Sequence, residues 1–207
     1  SASRTLLNIK AGAGTFTPGT GEVNIEEYST SYSSSYTKTL QFDSAISFHK
    51  LTLAGGHSYS SRAQTYDVVG TAVPTVTETF KWNGSHNYFY LTGTIEVSGN
   101  IECASYGGAN PDISSNGYPN PHTDGLIKFT GAVDKTYTHI SGILPPLEIA
   151  CTAGKKLDCS GTTDVYTAAF TMTTGNFTAP NGTMSIGMNW SASRTLLNIK
   201  AGAGTFT

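Results

Sequence analysis

Apolar residues recur along this chain at a spacing of two, and no window shows the spacing of an amphipathic helix. Leu40, Phe42, Ile46 and Phe48 share one parity while Leu51 and Leu53 take the other, which predicts a strand with a bulge near His49 or Lys50. Val76, Phe80 and Trp82 mark the next strand, and Asn83-Gly84 after it is a hairpin-turn signal. Phe89, Leu91, Ile95 and Val97, alternating with Tyr88, Tyr90, Thr92 and Glu96, form the most regular amphipathic strand. Ile127, Phe129 and Val133 predict another, and Tyr137 to Leu144 one more, stopped by Pro145-Pro146. Tyr166, Ala168, Phe170 and Met172 follow, and after a second turn at Asn181-Gly182 come Met184, Ile186, Met188 and Trp190. Val23 to Glu27 with the Tyr/Ser run Tyr28 to Tyr36 reads either as an edge strand or as a solvated loop, and Gly107 to Gly125 as a long irregular loop suited to packing or surface display. Roughly seven or eight strands without a helix predict an all-β chain, and more narrowly an immunoglobulin-like β-sandwich.

The two ends carry a second pattern. Residues 1–17, SASRTLLNIKAGAGTFT, recur without a substitution as residues 191–207. Structural repeats diverge in sequence and sit side by side, so a perfect copy at the opposite end needs another explanation. Leu7, Ile9, Ala11 and Ala13 fall on one face of the first copy, with Asn8 and Lys10 on the other. That is a strand with one face to bury and no partner strand adjoining it. Pro18-Gly19-Thr20-Gly21 then reads as a joint. The expected division is an N-terminal strand (1–17), a β-sandwich body (18–190), and a second copy of that strand (191–207), whose Leu197, Ile199, Ala201 and Ala203 repeat the apolar face. Those residues are odd-numbered, whereas the last body strand buries even positions up to Trp190, so the copy must be a separate strand with a turn or linker over Ser191 to Thr195.

Composition narrows the function classes. In 207 residues, 13% are charged and the net charge is -2, so nothing favours nucleic acid or an anionic membrane. No apolar run approaches the roughly 18 residues of a membrane span. The chain opens at Ser1 without a methionine or signal sequence, which suggests a processed or trimmed product. Sequons at Asn83, Asn176 and Asn181 are N-glycosylation candidates and point to an extracellular setting. A fourth, at Asn189, uses Ser191 of the copy.

Of the three cysteines, Cys151 and Cys159 flank a polar segment that would cross-link the base of a hairpin, with Cys103 joined to either as the alternative. No CxxC or HxxxH spacing supports a metal site, and no cofactor fingerprint, nucleophile elbow or P-loop is present. His122 and Asp124 read as a polar turn before they read as an acid–base pair. The chain is therefore expected not to be an enzyme. A carbohydrate-binding adhesin module, with Trp82, Tyr88 and Tyr90 as a stacking platform, is the competing reading, against a core role for these aromatics.

An alternating apolar extension, a Pro/Gly joint and a body of short strands resemble filament subunits assembled by donor-strand complementation. The chaperone-usher pilins are one such family, and the archaeal thread subunit is similar in architecture. The residues carrying the resemblance are Leu7, Ile9, Ala11 and Ala13. The resemblance implies a cell-surface filament in which identical subunits insert the N-terminal donor strand (1–17) into a groove of the next subunit's sandwich, and it implies that Leu197, Ile199, Ala201 and Ala203 of the second copy fill that groove. The disulfide usual near the start of a chaperone-usher pilin is missing, since Cys103 is the first cysteine. The copy at 191–207 then stands for an engineered self-complementing strand, the neighbour's incoming strand, or a natural duplication, in that order.

Overall fold

The computed structural model describes residues 2–10, 19–29, 36–57, 64–84, 89–104, 125–187, 197–200 and 203–207. Among them there are strands and turns and no helix. The strands are β1 (Ala2–Ile9), β2 (Glu22–Ser29), β3 (Tyr36–Phe42), β4 (Ser47–His57), β5 (Gln64–Val69), β6 (Thr75–Gly84), β7 (Phe89–Val97), β8 (Asn100–Cys103) and β9 (Gly125–Phe129). They continue as β10 (Lys135–His139), β11 (Leu147–Ala150), β12 (Lys156–Asp158), β13 (Val165–Thr167), β14 (Phe170–Thr174), β15 (Asn176–Thr178), β16 (Met184–Ile186) and β17 (Leu197–Ile199).

Strands next to each other in sequence seldom pair. β1, β3, β5, β7, β9, β11, β14 and β17 stack in that order on one face, and β2, β4, β6, β8, β10, β12 and β15 stack on a second. All the pairs among described residues are parallel, as in β2·β4, β4·β6 and β11·β14. A chain that returns to the same face in the same direction after each circuit is a parallel β-solenoid, and each circuit is one coil. β7 links the faces into one curled sheet, pairing with β5 through its first half and with β6 and β9 through its second. Among the described residues a third face appears in the later coils, where β13 pairs with β16 and Leu144 bridges to Thr167.

This architecture corrects the sandwich expectation. An immunoglobulin-like sandwich is built from antiparallel strands joined by hairpins. Here Asn83-Gly84 does not turn β6 back on itself: Asn83 pairs with Ala54 and Gly84 with Gly55 inside the parallel β4·β6 ladder. The bulge expected near His49 is present, as a register shift between Phe48 and Lys50. Val133, expected in a strand, is 54% exposed at the corner between β9 and β10.

The core lies inside the coils and is built of ladders. Val23, Leu51, Phe80, Ile101 and Tyr137 stack on one face, beside Ile25, Leu53, Trp82, Cys103 and His139. On the other face Ile95, Ile127, Leu147, Phe170 and Leu197 stack beside Val97, Phe129, Ile149, Met172 and Ile199. Burying each large side chain contributes about 1.5–3 kcal/mol, so alternation alone gives every strand an inward face. Corners bring successive coils very close: a Cβ at Gly99 would fall 2.3 Å from the Glu78 carbonyl oxygen of the coil before it.

Outward-facing charges pair along the same ladders. Lys128 Nζ donates to Glu96 Oε1 at 2.9 Å, and Thr173 Oγ1 donates to Glu148 Oε1 at 2.6 Å. The Glu96 carboxylate holds the Lys128 ammonium above its usual pKa. No helix among the described residues is long and apolar enough to cross a membrane.

Candidate functional site

Through β1 and β17 the two identical segments supply the first and last of the eight described strands of one stack. At the N-terminal end β1 lies on β3, with Leu7 opposite Leu40, Asn8 opposite Gln41 and Ile9 opposite Phe42. Leu7 and Ile9 are half-buried against the core while Asn8 and Lys10 are exposed, as the alternation requires. The backbone locks this register: the Asp43 N–H donates to the Ile9 carbonyl at 2.7 Å, and Ser44 Oγ donates to the Lys10 carbonyl at 3.2 Å.

The C-terminal copy closes the opposite end. Leu197 lies opposite Phe170, Asn198 opposite Thr171 and Ile199 opposite Met172, and the Lys200 N–H donates to the Met172 carbonyl at 2.9 Å. The chain then crosses to the second face. There the Phe177 N–H donates to Thr205, the Thr207 N–H returns a bond to Phe177, both at 3.0 Å, and Asn176 Oδ1 accepts from the Thr205 N–H at 2.7 Å. Phe170, Phe177 and Phe206 form an aromatic cluster with centroids 4.7, 5.5 and 5.8 Å apart.

The copy is thus an end coil laid over the sheet, whereas the sequence expectation placed it in a groove. Ala203 is half-buried against the core, and Ala11, Ala13 and Ala201 lie outside the described residues. The same letters meet different surroundings at the two ends. Leu197 and Ile199 face the core direction yet are 51% and 50% exposed, and Phe206 is 40% exposed, because nothing among the described residues covers them.

The remaining sequence candidates scatter. Asn83 lies within the β4·β6 ladder and Asn176 at a corner with its side-chain oxygen engaged, while Asn181 is exposed in a turn, its Nδ2 donating to the Ser160 carbonyl at 2.5 Å. Cys151 and Cys159 are free thiols, as is Cys103. The segment between the first two is a corner plus β12, joining two faces of the solenoid, so the hairpin their pairing presupposed does not exist. Burial pushes the Cys103 thiol up to about 12 and raises Cys151 and Cys159 as well, so all three are protonated at neutral pH. Among the described residues no three of His, Cys, Asp and Glu converge on one point. Trp82 and Tyr90 are buried at 3% and 4% exposure, so neither offers a ring face to a sugar. Tyr88, His122 and Asp124 lie outside the described residues.

Sequence reasoning passed over His139. Its Nδ1 meets the Tyr137 hydroxyl at 2.9 Å, and its ring helps to line an open cavity of about 150 Å³ with Ser141, Thr163, Asp164 and Tyr166. Burial holds its pKa down at about 4, against the opposing pull of the Gly142 backbone and the Asp164 carboxylate. The signal for it in the sequence is the inward parity it shares with Tyr137.

A pH dependence follows. The unfolded chain takes up this proton near pH 6.5 and the folded chain only near 4, so stability falls as pH drops through that window and levels off below it. The loss should be about 2 kcal/mol once the part of the ring near solvent is allowed for. Urea denaturation of His139→Gln between pH 6.5 and 4 should show a shallower slope than the parent. Asp158, held at about 2 by the Lys156 ammonium, acts only at lower pH. An unchanged slope would mean that His139 is accessible to protons in the folded chain.

No known protein family, curated protein or solved structure gives a match to this chain.

Proposed function

We propose that this chain is a structural subunit of an extracellular filament that grows head to tail along the solenoid axis. The N-terminal strand of one subunit adds to the C-terminal end of its neighbour. This keeps the donor strand implied by the resemblance to strand-complemented filament subunits and relocates it, from a groove in an immunoglobulin-like sandwich to the end of a coil. One observation carries the reading. β1 and β17, which lie in the two copies of one seventeen-residue sequence, close the two ends of one parallel stack among the described residues, where β1 pairs only with β3 and β17 only with β14. Each end strand therefore presents a row of free N–H and C=O groups, the template for strand addition.

The extracellular setting rests on the sequons, of which Asn181 is exposed in a turn. Buried Trp82 and Tyr90 remove two of the three residues on which the adhesin reading stood.

Ile199→Asp separates assembly from folding, because Ile199 is half exposed in the single chain and would be covered by a neighbour. The parent is expected to form unbranched filaments in negative-stain micrographs as concentration rises, and the variant to remain monomeric with an unchanged β-type circular dichroism spectrum. Equal assembly by the two proteins would refute the placement of the joint. A parent that stays monomeric at every concentration would refute the filament reading.

A further inference from the structure

We propose that two copies of this chain join through their identical terminal strands, the free edge of β17 in one copy pairing in parallel and in register with the free edge of β1 in the next. This rests on the filament reading and specifies its joint.

Direction is the first argument. Since the strands of the stack are parallel, a second copy set on the C-terminal end by translation along the axis arrives with β1 parallel to β17. Occupancy is the second. The place on β14 that a donor would take already holds the chain's own copy. For β17 to reach the β3 of a neighbour, the neighbour's β1·β3 ladder would have to break as a β17·β3 ladder forms, with no net gain of backbone pairs. Stacking on β1 adds a ladder and breaks none.

Side chains favour the in-register arrangement. It sets Leu197 on Leu7 and Ile199 on Ile9 facing the core, and Asn198 on Asn8 facing out, where amides stacked at the strand spacing bond to each other along the axis. Leu197, Ile199 and Phe206 form the apolar surface left open at this end. Leu7, Ile9, Val23 and Ile25, half-buried in the opposite end, are the matching cover. Lys10 falls beside Lys200, both exposed, so screening salt should strengthen the joint.

Each subunit then contributes all eight described strands of the stack, for an axial rise of about 38 Å at about 4.8 Å per strand. A joint in which one terminal copy serves two subunits would contribute seven, or about 34 Å.

The test is oxidative cross-linking of the full chain carrying Asn8→Cys and Asn198→Cys, both at outward positions. In-register parallel strands place these thiols within bridging distance, so a ladder of disulfide-linked multimers is expected on non-reducing denaturing gels. A mixture of the two single variants should stop at dimers, and the parent, whose thiols are buried, should show none. Image reconstruction of the parent filament should give the longer rise. A ladder from Gln41→Cys with Asn198→Cys, none from the first pair, and the shorter rise would show strand exchange and overturn this joint while leaving the filament reading intact. Filaments with no ladder from either pair would likewise overturn it. Absence of filaments altogether would remove both.

Discussion

Phe170→Ala is expected to destabilise the chain by about 3–5 kcal/mol, the range for emptying a fully buried aromatic site. Phe170 is 0% exposed and stands in the ladder between Leu147 below and Leu197 above, with Phe177 and Phe206 against its ring. The site is poorly able to collapse, because the parallel backbones above and below it are fixed by hydrogen bonds at strand spacing. The variant should also loosen the terminal copy, so limited proteolysis should cut near Leu197 well before the body is degraded. Phe206→Ala, partly exposed in the parent, should cost about 1–2 kcal/mol in the single chain. Urea titration checks both, and a loss below about 1 kcal/mol for Phe170→Ala would contradict its place in the core.

Gly175→Ala is expected to cost at least about 3 kcal/mol, from two causes that can be separated. Gly175 turns the chain from β14 to β15 with φ at 82°, a region L side chains rarely adopt. An added Cβ there would also lie 2.1 Å from Cys151 Sγ, an impossible contact. Cys151 cannot simply swing away, since its thiol is buried and donates to the Lys155 carbonyl at 3.3 Å. Combining Gly175→Ala with Cys151→Ala should restore part of the stability and leave about 1–2 kcal/mol of backbone strain. Thermal unfolding of the two single variants and the double variant closes the cycle. Strict additivity would mean that the corner shifts to avoid the contact.

The positions that point inward were largely legible in the sequence. Leu40, Phe42, Ile46, Phe48, Leu51 and Leu53 are all buried, and the parity change among them is the observed register shift. Ile127 and Phe129, and Phe170 with Met172, likewise form inward pairs. Strand direction was not legible. A half-buried strand alternates in the same way whether its neighbour runs parallel or antiparallel, and the Asn-Gly pair at Asn83 carried a hairpin signal into a parallel ladder.

Nor did a repeat announce the coils. Ladder partners lie 28 residues apart at Glu22 and Lys50, 36 apart at Ile101 and Tyr137, and 20 apart at Lys156 and Asn176. Corners of such different lengths erase any fixed period. Of the candidate site, the duplication and the inward face of Leu7 and Ile9 could be read from the sequence. That the two copies cap opposite ends of one stack could not, because it depends on how many coils intervene.

X-ray fibre diffraction from aligned filaments tests the central claim most directly, since growth along the solenoid axis sets every strand across the fibre. A sharp reflection at about 4.8 Å on the meridian is the expected result, because strand spacing and growth direction then coincide. Filaments whose strand-spacing reflection falls on the equator, or that lack an axial repeat near this value, would show that the subunits do not join end to end.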